Sequence, residues 1–444
     1  MQNIKSIFLL CMLGLSWSVT TQAELVIDVT PGEAKGIPIG IVPFKWAGAG
    51  NLPQDVSGVI SADLSRTGQF SVLTKGDLPQ TPATSSEINA EQWRSKSIDN
   101  VVVGRITAGP NGTFEVNAEL VNVYDSAKPS EKSPARVVRT IRKVATTQSL
   151  RLAAHQVANE IYQALTSIEG VFDTKIAYVT SIKGRDGKRQ FSLIVADYDG
   201  YAPVSVKSSV DPILSPAWAP DGERLAYVQY ASNGYYSVYI HNIVSRSRQQ
   251  LTANKGKASS PAWSPDGTQL AFTQIKDGNS EIYTFDLRTR SVKRVTVNPS
   301  IDTEAAWTPD GRYLVFTSDR GRTPQLYKIP ATGGRAERLT FSGNYNARPS
   351  FSPDGKNMTL VHQVDSKFSI GLMKTGDSAI QVLTDGRLDE SPSFSPNGYL
   401  VIYASEYNHR GVLSTVSIVG RHKQRIGYQE GDIREPAWGP KRKK

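Results

Sequence analysis

The stretch Ser260-Pro-Ala-Trp-Ser-Pro-Asp-Gly267 has close copies along the chain, and their spacing constrains the fold more than any other feature. Aligned on the aromatic residue, the copies are Pro216-Ala-Trp218-Ala-Pro-Asp-Gly222, Pro261-Ala-Trp263-Ser-Pro-Asp-Gly267 and Ala305-Ala-Trp307-Thr-Pro-Asp-Gly311. Pro349-Ser-Phe351-Ser-Pro-Asp-Gly355, Pro392-Ser-Phe394-Ser-Pro-Asn-Gly398 and a truncated Pro436-Ala-Trp438-Gly-Pro440 follow. The aromatic residues are 45, 44, 44, 43 and 44 positions apart. A strand-rich unit at this interval is a β-propeller signature, one four-stranded blade per copy.

Each copy supplies the strands that this requires. Proline sets φ for the turn, and Asp-Gly or Asn-Gly tolerates positive φ. The aromatic lies on the inner strand. Runs such as Leu270-Ala-Phe-Thr273, Glu281-Ile-Tyr-Thr-Phe-Asp286 and Lys293-Arg-Val-Thr296 supply the second, third and fourth strands. The last copy stops after its inner strand. Its missing partners precede the first copy: Lys175–Thr180, Phe191–Asp197 and Pro203–Lys207. A composite blade stitched from both extremities of residues 166–444 is therefore expected, giving six blades and no open sheet edge. The aromatics and turns recur in every copy and serve the fold, so function is sought where the copies differ.

The remaining sequence is of other kinds. Residues 1–23 carry Lys5, an apolar stretch from Ile7 to Leu15 and the small-residue end Thr21-Gln22-Ala23, the pattern of a secretory signal peptide. Cys11, the chain's one cysteine, lies in this leader. An exported, cysteine-free mature chain excludes disulfides, thiolate catalysis and cysteine-bound zinc, and its expected compartment is the periplasm. The chain has 51 basic and 41 acidic residues, net +10, or +9 once Lys5 leaves with the leader. These charges are dispersed, apart from Lys441-Arg442-Lys443-Lys444, which reads as a solvated end, and no nucleic-acid partner is expected in that compartment.

Residues 24–165 lack the repeat and read as a small mixed α/β domain. Strands are expected at Ile37–Phe44, Phe70–Leu73, Asn100–Gly104 and Thr113–Tyr124, and helices at Val56–Leu64 and Thr147–Leu165. Ser126–Ser133 reads as a polar loop. The stretch Glu24-Leu-Val-Ile-Asp-Val-Thr-Pro-Gly-Glu-Ala-Lys-Gly36 is strand-prone and then broken by Pro31-Gly32. It is either an edge strand of its own domain or an extended peptide that adds to another protein's sheet.

No catalytic set emerges. There is no Gly-x-Ser-x-Gly elbow, and Gly48-Ala-Gly50 lacks the rest of a nucleotide fingerprint. The histidines at 155, 241, 362, 409 and 422 have no metal-ligand spacing. Asp197-Tyr-Asp-Gly200 reads as a turn. No cofactor, metal or catalytic residue is assigned.

The leader, the segment after it, Ile39-Gly-Ile-Val-Pro-Phe-Lys-Trp-Ala-Gly48, Ala196-Asp-Tyr-Asp-Gly-Tyr201 and the repeat together resemble the TolB family, a periplasmic component of the Tol-Pal envelope system. The resemblance implies a non-enzymatic, monomeric adaptor that supports outer-membrane integrity and constriction at division. It also implies that residues 24–35, led by Glu24, Leu25, Val26, Ile27, Asp28, Val29 and Thr30, bind the inner-membrane protein TolA. The propeller would bind Pal, the peptidoglycan-associated lipoprotein, at the channel mouth, on loops entering the inner strands. Those residues are Lys257, Ser259, Ser260, Asp302, Thr303, Glu304, Asn346, Ala347, Arg348, Asp389, Glu390, Ser391, Asp432, Arg434 and Glu435. The rival expectation is a periplasmic hydrolase or glycan-binding propeller using Asp302, Glu304, Asp389 and Glu390.

Overall fold

The computed structural model describes residues 36–124, 135–252, 257–420, 422–427 and 430–442. The expected leader, the segment 24–35 and the 126–133 loop lie outside them. An N-terminal α/β domain precedes a β-propeller. No helix among the described residues is long and apolar enough to cross a membrane.

The N-terminal sheet contains β1 (Ile37–Ile41), β2 (Lys45–Ala47), β3 (Phe70–Val72), β4 (Asn100–Ala108), β5 (Phe114–Asn122) and β6 (Arg136–Ala145). Its order is β3-β1-β4-β5-β6, with β2 also on β4. Helix α1 (Val56–Arg66) starts at Asp55, whose carboxylate accepts the Gly58 amide at 2.9 Å. Gly68, just beyond it, takes φ 66°. A short helix α2 (Ala90–Arg94) buries Trp93. Helix α3 (Leu150–Thr166) buries Leu150, Ala154, Val157 and Ile161, which lie on one helical face.

Strand β6 and helix α2 were not legible in the sequence. In β6 only Ile141 and Ala145 are buried, because it is an edge strand and lacks a two-residue apolar alternation. It is held to α3 by charge: Arg139 and Lys143 both pair with Glu160, at 3.2 and 2.7 Å.

Lys175 to Trp438 form the propeller sheets. Three are four-stranded and consecutive, spanning Asp302–Arg338, Asn346–Val382 and Glu390–Arg425. An eight-stranded sheet runs from Ile213 to Arg294, its two groups of four linked by a bridge between Tyr236 and Lys257. In the remaining sheet Asp432–Trp438 lies antiparallel to Lys175–Lys183, followed by Arg189–Asp197 and Val204–Ser209.

Neighbouring inner strands are tied by the repeated tryptophan. The Trp263 indole N–H donates to the Ala217 carbonyl at 3.1 Å, and that of Trp307 to Ala262 at 3.1 Å. Trp218 donates to Ala437 at 3.2 Å, across 219 residues of sequence. Trp438 donates to the Thr174 hydroxyl at 2.9 Å. Phe351 and Phe394 fill the same place without a donor.

Antiparallel alternation gives the propeller two unlike ends. Starts of inner strands share one end with the loops between second and third strands. Pro-Asp-Gly turns share the other end with the turns between third and fourth strands. The N-terminal domain packs on this second end, at limited points. Asn397 donates to the Glu169 carbonyl at 2.9 Å, and Gly68 lies against His422. One apolar core joins α1 and α3 to Tyr178, Tyr198, Leu400 and Trp438.

A buried ionic cluster crosses the same junction. Asp63 accepts from the Tyr198 hydroxyl at 2.6 Å and from Arg66 at 3.1 Å, and lies 2.7 Å from His155 Nδ1. Arg66 and Arg151 both pair with Asp199 of the propeller. Burial pushes the Asp199 carboxyl up, but Arg66, His155 and Arg151 prevail and hold it below the usual range. Burial likewise opposes charge on His155, yet Asp63 and Asp199 outweigh it and raise its pKa.

Three substitutions test this packing. Trp263→Phe should lower stability by about 1 kcal/mol, one net hydrogen bond. Trp438→Ala should cost about 3–5 kcal/mol. Denaturant unfolding measures both, and equal losses would refute the distinction. His155 adds stability that is complete below its unfolded value near about pH 6.5 and disappears as pH rises through the raised folded value. The stability gap between the parent and His155→Gln should therefore shrink with rising pH. A gap that stays flat between about pH 6 and about pH 9 would contradict the assignment.

Candidate functional site

The inner strands enclose a channel of about 580 Å³. Its wall repeats one local device. The residue three places before each aromatic has a left-handed backbone: Ser215, Ser260, Glu304, Arg348, Ser391 and Glu435, with φ between 49° and 56°. Each lies in a β-bulge, where the register with the second strand shifts. Non-glycine residues in this region are strained by about 1–3 kcal/mol, and such strain gathers at binding sites. Here the bulge turns all six side chains into the channel lining.

The copies differ at this position, and the differences interlock. Arg348 Nε donates to Glu304 Oε1 at 2.8 Å, Nη1 to the Ser391 hydroxyl at 2.5 Å and Nη2 to Glu435 Oε1 at 3.5 Å. The other oxygen of Glu304 accepts from Thr317 at 3.1 Å, and that of Glu435 accepts the Ser215 amide. Burial works against the Arg348 charge, but Glu304, Glu435 and Glu390 more than offset it and raise its pKa. One guanidinium thus links four of the inner strands across the channel.

Nearer the open end, Arg434 pairs with Glu390 at 3.2 Å and with Asp432 at 3.4 Å, and Lys257 is exposed. Thr303 and Ser259 are half-buried, Thr303 lying 3.2 Å from Thr273. This rim is at the end opposite the N-terminal domain.

Four of the expected rim residues are placed elsewhere. Asp302, Asn346 and Asp389 stand two positions before the bulge residue, where Ile213, Ala258 and Ile433 stand in other copies, and all six are buried. Strand alternation turns that position into the wall. Asp302 is held by Arg320 at 2.6 Å. Asn346 donates to Gln325 at 2.9 Å and faces His362 Nδ1 at 2.8 Å. Asp389 accepts from Ser405 at 2.6 Å. Burial raises the pKa of Asp302 and of Asp389. Ala347 is also buried, too short to reach the surface.

The carboxylates named for a hydrolase are therefore not assembled: two are in the wall, and Glu304 and Glu390 are engaged by arginines. Ser215 belongs to the site and was missed; its offset from Trp218 was the available signal. At the junction, Asp63, His155 and Asp199 offer ligand atoms within 4.8 Å of one another. Arg66 and Arg151 already occupy those carboxylates, which makes the set an ion cluster.

Two family descriptions match the chain, "TolB amino-terminal domain" over residues 25–128 and "TolB beta propeller domain" over residues 162–442. The chain belongs to the TolB family. A relative from Thioalkalivibrio sulfidiphilus, described as "Tol-Pal system protein TolB", is 50% identical over 440 residues and 98% of each chain. One of the same description from Nitrosococcus oceani is 49% identical over 96% of each. The crystal structure of TolB from Acinetobacter baumannii superposes with a TM-score of 0.84 at 39% identity, covering 95% of this chain and all of that one.

The channel network predicts an energetic coupling. In a double-mutant cycle, Glu304→Gln and Arg348→Met should show an interaction of about 0.5–2 kcal/mol. Strictly additive losses would mean that the pair contributes nothing.

Proposed function

We propose that this protein is a periplasmic, non-enzymatic adaptor of the Tol-Pal system, binding Pal at the open end of its propeller and TolA through residues 24–35. The observation that carries the reading is the placement of the N-terminal domain. It packs on one side of the turn-bearing end, near Asp199, Asn397 and His422, and leaves the other end, with its charged rim, free for a partner. Inner strands converging on one opening make a broad surface with a polar border, which suits a protein partner. The relatives' shared description as Tol-Pal system proteins supports the choice of Pal.

We read the propeller as six blades, with the eight-stranded sheet counted as two and Asp432–Trp438 completing the sheet begun at Lys175. The indole bond from Trp218 to Ala437 supports a closed ring. A closed ring gives the rim a fixed shape, which loops alone would not. We assign the rim contacts to Lys257, Ser259, Ser260, Thr303, Glu304, Arg348, Glu390, Ser391, Asp432, Arg434 and Glu435. The boundaries that accompany this reading are a leader at 1–23, an α/β domain at 24–165 and a propeller at 166–444. The protein acts as a monomer that its partners hold near the membranes, and its role is outer-membrane integrity and constriction at division.

Binding titrations with the isolated partners test both sites. Removal of residues 24–35 should abolish TolA binding and leave Pal affinity unchanged. Arg434→Glu should weaken Pal binding by about tenfold or more, since it places a third acid beside Glu390 and Asp432. TolA binding that survives the deletion, or Pal binding indifferent to Arg434→Glu, would refute the corresponding assignment.

A further inference from the structure

The charge that distinguishes the copies at the other end of the propeller is not used by either proposed site. The turn between third and fourth strands, with its fourth strand, spans 242–250, 286–294 and 330–338 in three consecutive copies. These segments hold eight basic residues against two acidic ones. The same segment in the next copy, Lys374 to Val382, has one of each. The turn at 197–201 is occupied, since Asp199 pairs with Arg66 and Arg151 of the N-terminal domain. The segment Ser417 to Arg425 is basic too, but Lys423 pairs with Asp385 at 2.6 Å and Arg425 stacks 3.4 Å over Tyr407, so the three consecutive copies carry the longest run of this charge.

The arc is continuous. With the Gln249 amide oriented to accept, Arg290 donates to it at 3.0 and 3.1 Å, joining the first segment to the second. A Cβ on Gly333 would lie 3.3 Å from the Val295 carbonyl, which seats the third segment against the second. Arg248 and Arg294 are used locally, the first stacked 3.7 Å over Tyr239 and the second paired with Glu281 at 2.6 Å. Arg246, Arg288, Lys293 and Arg335 are exposed and make no ion pair with a described carboxylate. Asp286 accepts the amides of Arg288 and Thr289 at 3.0 and 2.7 Å, and these hydrogen bonds, more than the Arg288 charge, hold its carboxyl low.

Two large apolar side chains stand out among these cations. Val244 is 71% exposed and Val292 is 54% exposed. Arginines interleaved with exposed valines on hairpin tips complement a surface that is anionic outside and apolar beneath. A polysaccharide would satisfy the cations and give the valines nothing.

We propose that this arc is a docking surface for a membrane bearing anionic phospholipid headgroups. The cations meet the phosphates by diffuse attraction, which needs no fixed spacing, and Val244 and Val292 enter the headgroup layer. The arc is at the opposite end from the rim assigned to Pal, so a lipid surface and Pal could be engaged together.

Sedimentation of the chain from Glu24 onward with vesicles tests this. Binding is expected to phosphatidylethanolamine vesicles containing phosphatidylglycerol and not to pure phosphatidylcholine, and to weaken as salt rises. Each cation near such a surface contributes roughly fivefold, so Arg246→Gln with Arg288→Gln and Lys293→Gln should lower affinity by about 100-fold. Lys183→Gln with Lys188→Gln and Lys276→Gln removes the same charge from the other end and should leave vesicle binding as in the parent. Val244→Ser with Val292→Ser should weaken vesicle binding several-fold and spare binding to heparin, a soluble polyanion. Thermal melting checks that each variant is folded, and unchanged Pal affinity separates this surface from the rim. Equal losses from the two lysine and arginine triples, binding indifferent to phosphatidylglycerol, or heparin binding without vesicle binding would each overturn the proposal.

Discussion

The tryptophan that reaches back to the preceding inner strand is the contact on which the rest of this molecule depends. A four-stranded sheet alone has two exposed faces and two open edges, and is marginal in water. The indole buries its ring between neighbouring sheets and spends its one donor on a carbonyl of the strand before it, as Trp263 does on Ala217. The bond is made at Trp218, Trp263 and Trp307, and the rings of Phe351 and Phe394 fill the same place by packing alone, so neighbouring inner strands are set against one another by the same residue position. The channel is the space that this spacing leaves, so the geometry of the wall is inherited from the indole contact.

The bulges act on that fixed wall. A left-handed residue three places before each aromatic aims one side chain inward, and the surrounding hydrogen bonds hold it there. Thr273 accepts the Glu304 amide at 3.2 Å and Thr317 accepts the Arg348 amide at 3.1 Å, so the strained backbone is bonded to the neighbouring copy. The strain is thus distributed, and the ring of side chains can vary freely in chemistry. Arg348 among Glu304, Ser391 and Glu435 is the outcome: a polar crosslink between inner strands. At the opposite end, Asp199 supplies the propeller's part of a buried ionic cluster that joins the two domains. The two ends are therefore chemically distinct although the repeat is nearly uniform.

Much of this was legible. The spacing of the aromatics, the Pro-Asp-Gly turns and the alternating strands fixed the propeller, because each is a short-range signal repeated many times. In the N-terminal domain, β1, β3, β4, β5, α1 and α3 were read from apolar periodicity. Strand β6 was not, since its exposed edge carries arginine and lysine where a half-buried strand would alternate. The site was legible only in outline. Glu304, Arg348 and Glu435 were named, with the other loop residues entering the inner strands, from the family resemblance, and the same reasoning put Asp302, Asn346 and Asp389 on the surface when they are in the wall. A polar residue in a loop-like position reads as exposed, and only its neighbours reveal that it is hydrogen-bonded and buried. His155 was one of five scattered histidines until the fold set it beside Asp63, 92 residues away in sequence.

What the sequence determined by itself was the repeat and the kind of sheet each copy forms. Backbone preferences of proline, glycine and aromatic residues act over a few positions and need no distant partner. What only the tertiary structure decided was which polar residues meet: the crosslink around Arg348, the cluster around Asp63 and the end of the propeller left uncovered. Those pairings join residues far apart in the chain, and they depend on the angle between neighbouring sheets and on which end receives the N-terminal domain. Neither quantity is written in any local stretch, because both are set by packing over the whole molecule.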